Sequence, residues 1–347
     1  MTAPNHGLAS QKRKIFRPAA PFYVQFEVTD ACNHQCFFCY NHATKMRGRE
    51  LSTDEAKNIL LQMREAGVFS VNFNGGEPLM RHDIFELASY AKTLGFDIHM
   101  NTNATLVDSE KADRISALFP SVCTSVLAAS PEKHDRLVGI PGAWQRMRRG
   151  VDLLTERGVN VEINVCTTRE NFSELYDIAS SMAAEGVHVF CATRYIMVTP
   201  EGRDLLLGKD ETIAVLDALD LISRTLPTYK EVKLPGPVPY CELPSEYKSR
   251  LDRWNTPCQV GYGVCRVSPY GTITPCPLSS KVMGELRQSS FQDIWHSEHW
   301  KLFSDCRHLP SACRTCEDLE ACRGGCIGYD DCLVAQGETP QTRKWSN

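Results

Sequence analysis

No stretch of this 347-residue chain holds the roughly twenty consecutive apolar residues that a membrane-spanning helix requires. Its first residues, MTAPNHGLASQKRK, lack the apolar core of an export signal. Both absences point to a cytoplasmic protein with no membrane partner. A charge excess of one sign is lacking too. Lys and Arg number 38 against 42 Asp and Glu, a formal net charge of −4, so there is no basic field for nucleic acid. The basic run from Gln11 to Arg17 is short and reads as a solvated tail. Repeats and low-complexity tracts are absent as well. What the chain has in excess is cysteine, 16 in all. Without an export signal, thiols two or three residues apart point to metal ligation rather than disulfides.

The first two-thirds alternates strand and helix. Residues 22–29, 68–74, 97–102, 122–128, 159–167 and 187–195 read as strands, rich in β-branched and aromatic residues. Residues 53–66, 83–94, 109–117, 143–157, 172–185 and 210–225 have helical apolar spacing. Six such units in a row predict an α/β fold, a parallel sheet wrapped by helices, as an open sheet or a partial barrel. Residues 226–257 read as a linker, because Pro227, Pro235, Pro237, Pro239 and Pro244 forbid a continuous helix. Pro269-Tyr270-Gly271 then marks a hairpin between strands 264–268 and 272–276, and 290–303 reads as a capped helix. From Cys306 onward the chain is cysteine-dense and short of apolar residues, so it needs metal to hold it.

Directly after the first strand comes Cys32-Asn33-His34-Gln35-Cys36-Phe37-Phe38-Cys39. Three thiolates on one short loop can hold three irons of a [4Fe–4S] cube and leave the fourth open for chemistry. A zinc site completed by His34 is the alternative, though zinc loops favour two-residue spacings. After the second strand stands Asn74-Gly75-Gly76-Glu77-Pro78, where glycines permit close approach and a carboxylate can pair with an ammonium. The C-x3-C-x2-C spacing with Phe38 before its last cysteine resembles the signature of the radical S-adenosylmethionine (SAM) superfamily, and the Gly-Gly-Glu-Pro turn is similar to that family's SAM-binding motif. The resemblance implies a partial (β/α)6 barrel. It also implies cluster ligation by Cys32, Cys36 and Cys39, an adenine pocket lined by Phe38, and SAM contacts at Gly75, Gly76, Glu77 and Pro78. In that family one electron breaks a carbon–sulfur bond of SAM, and the resulting 5′-deoxyadenosyl radical takes a hydrogen atom from substrate. Thr102-Asn103 is similar to a family Thr-Asn-Gly turn with Ala104 in place of glycine, which makes Asn103 a cofactor contact. Ser130-Pro131-Glu132-Lys133-His134-Asp135 departs from the family's usual pattern and carries no assignment.

The C-terminal cysteines are Cys258, Cys265, Cys276, then Cys313-x2-Cys316-x5-Cys322-x3-Cys326, then Cys332. With Gly271 five residues before Cys276, the pattern resembles the SPASM domain of radical SAM enzymes. By that resemblance Cys258, Cys265, Cys276 and Cys326 hold one auxiliary cluster. Cys313, Cys316 and Cys322 hold a second with Cys332, Cys306 or an open iron in the fourth place. Two structural zinc sites are the alternative. Pro277 stands where sulfatase-maturing relatives carry an aspartate, which argues against that activity. The remaining cysteines include Cys241 and also Cys123, Cys166 and Cys191; the last three fall in or beside strands and read as small buried apolar residues.

These readings divide the chain into a tail (1–20), a radical SAM core (21–225), the linker, and a SPASM domain (258–347). The expected cofactors are SAM and three [4Fe–4S] clusters, one catalytic and two auxiliary. The expected substrate is a ribosomally made precursor peptide, and the expected reductant a flavodoxin or ferredoxin. A tetrapyrrole or sugar-nucleoside substrate is the alternative, and an electron carrier the non-enzymatic one. About twenty residues precede the first strand, too few for a winged peptide-binding domain, so a leader would be read elsewhere.

Overall fold

A computed structural model describes residues 17–41, 48–197, 200–305, 308–309, 313 and 315–326. β1 (Tyr23–Thr29), β2 (Ser70–Gly75), β3 (Asp97–Thr102), β4 (Ser121–Ser125), β5 (Asn160–Thr167) and β6 (Val189–Arg194) form a run of adjacent parallel strands. Helices α1 (Thr53–Ala66), α2 (Ile84–Thr93), α3 (Ser109–Leu118), α4 (Pro131–Val138), α5 (Ala143–Thr155), α6 (Leu175–Ala183) and α7 (Lys209–Thr225) connect them. This is the expected α/β core. The local signals are plain in α1: Ser52 and Glu55 close a capping box at its start, and Gly67 ends it with φ 97. α4 was not expected from the sequence. Ser130 caps it and Pro131 opens it, a pairing suited to a helix start.

The stretch expected as a linker carries structure. β7 (Glu231–Lys233) extends the sheet beside β6, and α8 (Lys248–Trp254) follows. No proline falls between Pro244 and Pro257, which leaves α8 free of them. β8 (Val264–Val267) pairs in parallel with β1, and β9 (Thr272–Thr274) and β10 (Gly284–Glu285) continue outward. The sheet therefore runs β10-β9-β8-β1-β2-β3-β4-β5-β6-β7, so the C-terminal region shares the sheet of the core. The expected helix over 290–303 is broken at Ser297, whose backbone is extended, and α9 spans only Phe291–His296.

Each strand has two chemically different faces. Val24, Phe26, Val71, Phe73, Ile98, Met100, Val161 and Ile163 pack toward the helices, each 2% exposed or less. Burial of each such side chain stabilises the fold by about 1.5–3 kcal/mol. The alternate positions, Gln25, Asn72, Asn74, Asn101 and Asn164 among them, line a chamber on the concave face. Parallel strands covered on both faces read as continuous apolar runs. The period-two polarity here reflects a chamber on one side.

Candidate active site

β1 leads into the loop that carries Cys32, Cys36 and Cys39, all half-buried. The thiols feel one another. Burial, then the charges of Cys39 and Cys32, push the Cys36 thiol well above its ordinary value. Burial drives Cys32 up to about 11 against a hydrogen bond from the His34 amide, with Glu77 and Cys39 adding to the rise. Three thiols on one short loop are soft donors of the kind that suits iron. Among the described residues no three His, Cys, Asp or Glu side chains are grouped as one metal ion requires. The fit to an iron–sulfur group rests on the donor set, three thiols on one loop. Burial and the nearby Arg146 charge push the His34 imidazole down to about 4, and Asp135 opposes them.

The end of β2 packs directly on this loop. Gly76 N donates to Thr29 O and Glu77 N to Ala31 O, both at 2.7 Å. A Cβ on Gly76 would stand 2.1 Å from the Ala31 oxygen, and one on Gly75 2.3 Å from the Thr29 oxygen. The glycine pair is thus a condition for the loop's position. Pro78 opens a single turn of 3-10 helix, Pro78–Met80. The Glu77 carboxylate is fully buried and accepts from Leu79 N at 3.0 Å, Thr102 Oγ1 at 2.7 Å and Asn103 N at 2.7 Å. Burial raises its pKa against these three donors. Asn103 Nδ2 donates to Asn33 Oδ1 at 2.7 Å, which ties the β3 turn to the cluster loop. Ala104 adopts φ 58, the left-handed conformation glycine would take without cost. Sequence reasoning placed these residues at one site, and the structure joins them. It spends the Glu77 oxygens on protein donors.

A cavity of about 640 Å³ opens beside the loop along the concave face. Its lining joins Phe38 and Tyr40 of the cluster loop to Cys258, Cys276 and Cys326. Burial, then the charges of Cys326 and Cys258, push the Cys276 thiol up, so Cys276 feels both of the other thiols. Cys265 is not brought to them. It sits on β8 opposite Val24 of β1, 1% exposed in the hydrophobic core, and is pushed up by burial alone. Cys322 accepts from Tyr240 N at 3.4 Å and feels the Cys316 charge. Cys313 packs beside Leu309 and Leu319. Cys306 and Cys332 lie outside the described residues. Cys123, Cys166 and Cys191 line the chamber; Cys191 is also buried, as the sequence suggested, and Cys166 packs against the buried clusters that hold Leu127 and Tyr195. Arg194 lines it too, with Nη1 2.9 Å from Glu242 and Nη2 donating to Pro237 O at 3.0 Å. Apart from Asn74, which precedes the Gly-Gly-Glu-Pro turn, the chamber's carboxamides belong to no motif. The signal that finds them is the alternation in SVNFNG and NVEINVCT.

Comparison with known proteins agrees with this geometry. The profile of the radical SAM superfamily matches residues 26–182, and that of an iron–sulfur cluster-binding domain, SPASM, matches 258–317. The AdoMet-dependent heme synthase of Oleidesulfovibrio alaskensis is 30% identical over 331 residues, covering 87% of this chain and 81% of that protein. The mycofactocin maturase MftC of Mycobacterium tuberculosis is 30% identical over 325 residues, covering 89% and 78%. Streptococcus suis SuiB, in its crystal structure bound to precursor peptide SuiA, shares the fold. Its TM-score is 0.75 at 18% identity, over 93% of this chain and 74% of that one.

Proposed function

This chain belongs to the radical SAM superfamily, and from that premise we propose that it modifies a ribosomally made peptide held in the chamber beside its three-thiol loop. It is an iron–sulfur enzyme that uses SAM. Cys32, Cys36 and Cys39 would hold the catalytic [4Fe–4S] cluster, with Phe38 against the adenine. Gly75, Gly76, Glu77, Pro78 and Asn103 would frame the methionine end of SAM, Glu77 acting by fixing the Asn103 turn. Cys258, Cys276 and Cys326 would hold an auxiliary cluster at the chamber wall, and Cys313, Cys316, Cys322 and Cys332 a second. When bound, the catalytic cluster and SAM supply a one-electron route to removal of a hydrogen atom from substrate. A flavodoxin or ferredoxin would deliver the electron.

The peptide reading is carried by the chamber lining, which is rich in carboxamides that match a backbone's own donors and acceptors. The heme synthases among the relatives favour a second reading, a tetrapyrrole. A porphyrin with carboxylate arms calls for free cations. Among the described lining residues the one guanidinium, Arg194, already pairs with Glu242. The test is anaerobic turnover with SAM and dithionite against the short peptides encoded beside the gene and, separately, an iron porphyrin. A SAM-dependent mass change on a peptide supports the proposal. A change confined to the porphyrin overturns it.

A further inference from the structure

On the concave face of β2, Asn72 and Asn74 both line the chamber. They are 2% and 4% exposed, and the Oδ1 atom of each has no hydrogen-bond partner. Asn72 is held in orientation by a hydrogen bond to the Tyr23 phenol, which leaves its bare oxygen fixed. In register, Asn72 lies between Gln25 of β1 and His99 of β3. His99 is itself held by Ser121 Oγ at 2.7 Å and Asp97 Oδ2 at 2.8 Å, so the wall around Asn72 is braced.

A buried acceptor left unpaired costs about 1–3 kcal/mol, and native proteins leave few of them. Ser70, Asn72 and Asn74 each leave an oxygen unpaired on this face of β2, and the two that line the chamber point to a ligand that brings two donors. Their spacing narrows its chemistry. Positions i and i+2 of a strand lie about 6.6–6.8 Å apart. An extended peptide presents N–H groups along one edge with that same two-residue period. An iron porphyrin has no ring N–H left to donate, and its ionised carboxylates only accept.

We infer that Asn72 and Asn74 determine specificity for an extended peptide backbone lying along β2, with N–H groups two residues apart donating to the two Oδ1 atoms. This rests on the peptide reading and deepens it. Side chains of the bound segment alternate away from this edge, so recognition here is of backbone geometry and tolerates varied sequence.

The test uses the anaerobic, SAM-loaded protein and a position-randomised library of acetylated hexapeptide amides, with retained peptides quantified by mass spectrometry. N-methylation of the library at every second residue removes the donors without touching the protein. Retention is expected to fall about three- to tenfold, the worth of one ordinary hydrogen bond, or more where both are lost. Asn72→Leu should give a comparable loss with iron content and SAM affinity unchanged, and Asn74→Leu a comparable loss with iron content unchanged. Equal retention of the methylated library, or full retention by both variants, overturns the inference and leaves the peptide reading standing. Retention of an iron porphyrin but of no hexapeptide by the unmodified protein overturns the peptide reading itself, and this inference with it.

Discussion

Glu77 shows how a single buried carboxylate can tie two loops of a site together. Its two oxygens take hydrogen bonds from a side chain and two backbone amides, and these come from both the β2 loop and the β3 turn. Glu77→Gln keeps one acceptor and turns an NH2 group toward a donor. The expected cost is about 1–3 kcal/mol, with weaker SAM binding and unchanged iron content. Thermal unfolding, equilibrium SAM binding and iron analysis measure the three; an unaltered SAM affinity would remove Glu77 from the site. His134 gives a second prediction. It is 1% exposed and accepts from Leu127 N at 3.2 Å. Burial, then the charge of His34, pushes it down to about 4 from the usual 6.5. The unfolded chain therefore takes up this proton first as pH falls. Stability contributed by the neutral ring is present above about pH 6.5 and drains away toward pH 4, by about 2–3 kcal/mol at pH 4.5. In anaerobic urea unfolding at pH 7 and 4.5, His134→Gln should lose less stability than the parent. An equal loss in both proteins contradicts this.

At the scale of elements, β8 separates two kinds of cysteine that spacing alone cannot. Cys265 shares a face with Val267, and both are essentially unexposed, while Val264 and Arg266 take the other face. That period-two pattern marks a core position, whereas the thiol count suggests a ligand. Cys265→Val is accordingly expected to keep the full iron content at a cost below about 1.5 kcal/mol, and Cys276→Ala to lose the iron of one auxiliary cluster. Iron analysis of the two anaerobically reconstituted variants decides it. Parallel iron loss would return Cys265 to the ligand set. The same contrast explains what the sequence made legible. The cluster loop and the Gly75-Gly76 turn were readable because their chemistry is local, set by covalent spacing and by close backbone approach. β7 and β8 were harder to see as members of the sheet. Each is very short, and β8 pairs with a strand more than two hundred residues away, so little in its own residues announces the partner.

Over the whole molecule, one sheet links the two cysteine-rich regions. β8 lies beside β1, and the hairpin that follows reaches back to the cluster loop: Leu51 N donates to Pro269 O at 2.7 Å, and Tyr270 Oη donates to Asp30 Oδ2 at 2.5 Å. The chamber between them was present in the sequence as alternating polarity, hidden by the expectation that parallel strands are apolar on both faces. If both C-terminal cysteine groups bind cubes as the catalytic loop does, the reconstituted protein should carry about twelve irons. An iron content near four, with zinc in the remaining sites, contradicts the auxiliary assignment. The most direct measurement of the central claim is anaerobic SAM cleavage under dithionite, followed by mass spectrometry in the parent and in Cys39→Ala and Cys326→Ala. The parent and Cys326→Ala should form 5′-deoxyadenosine, the latter without converting substrate, and Cys39→Ala should form none. Full cleavage by Cys39→Ala would contradict the assignment of the three-thiol loop as the catalytic centre.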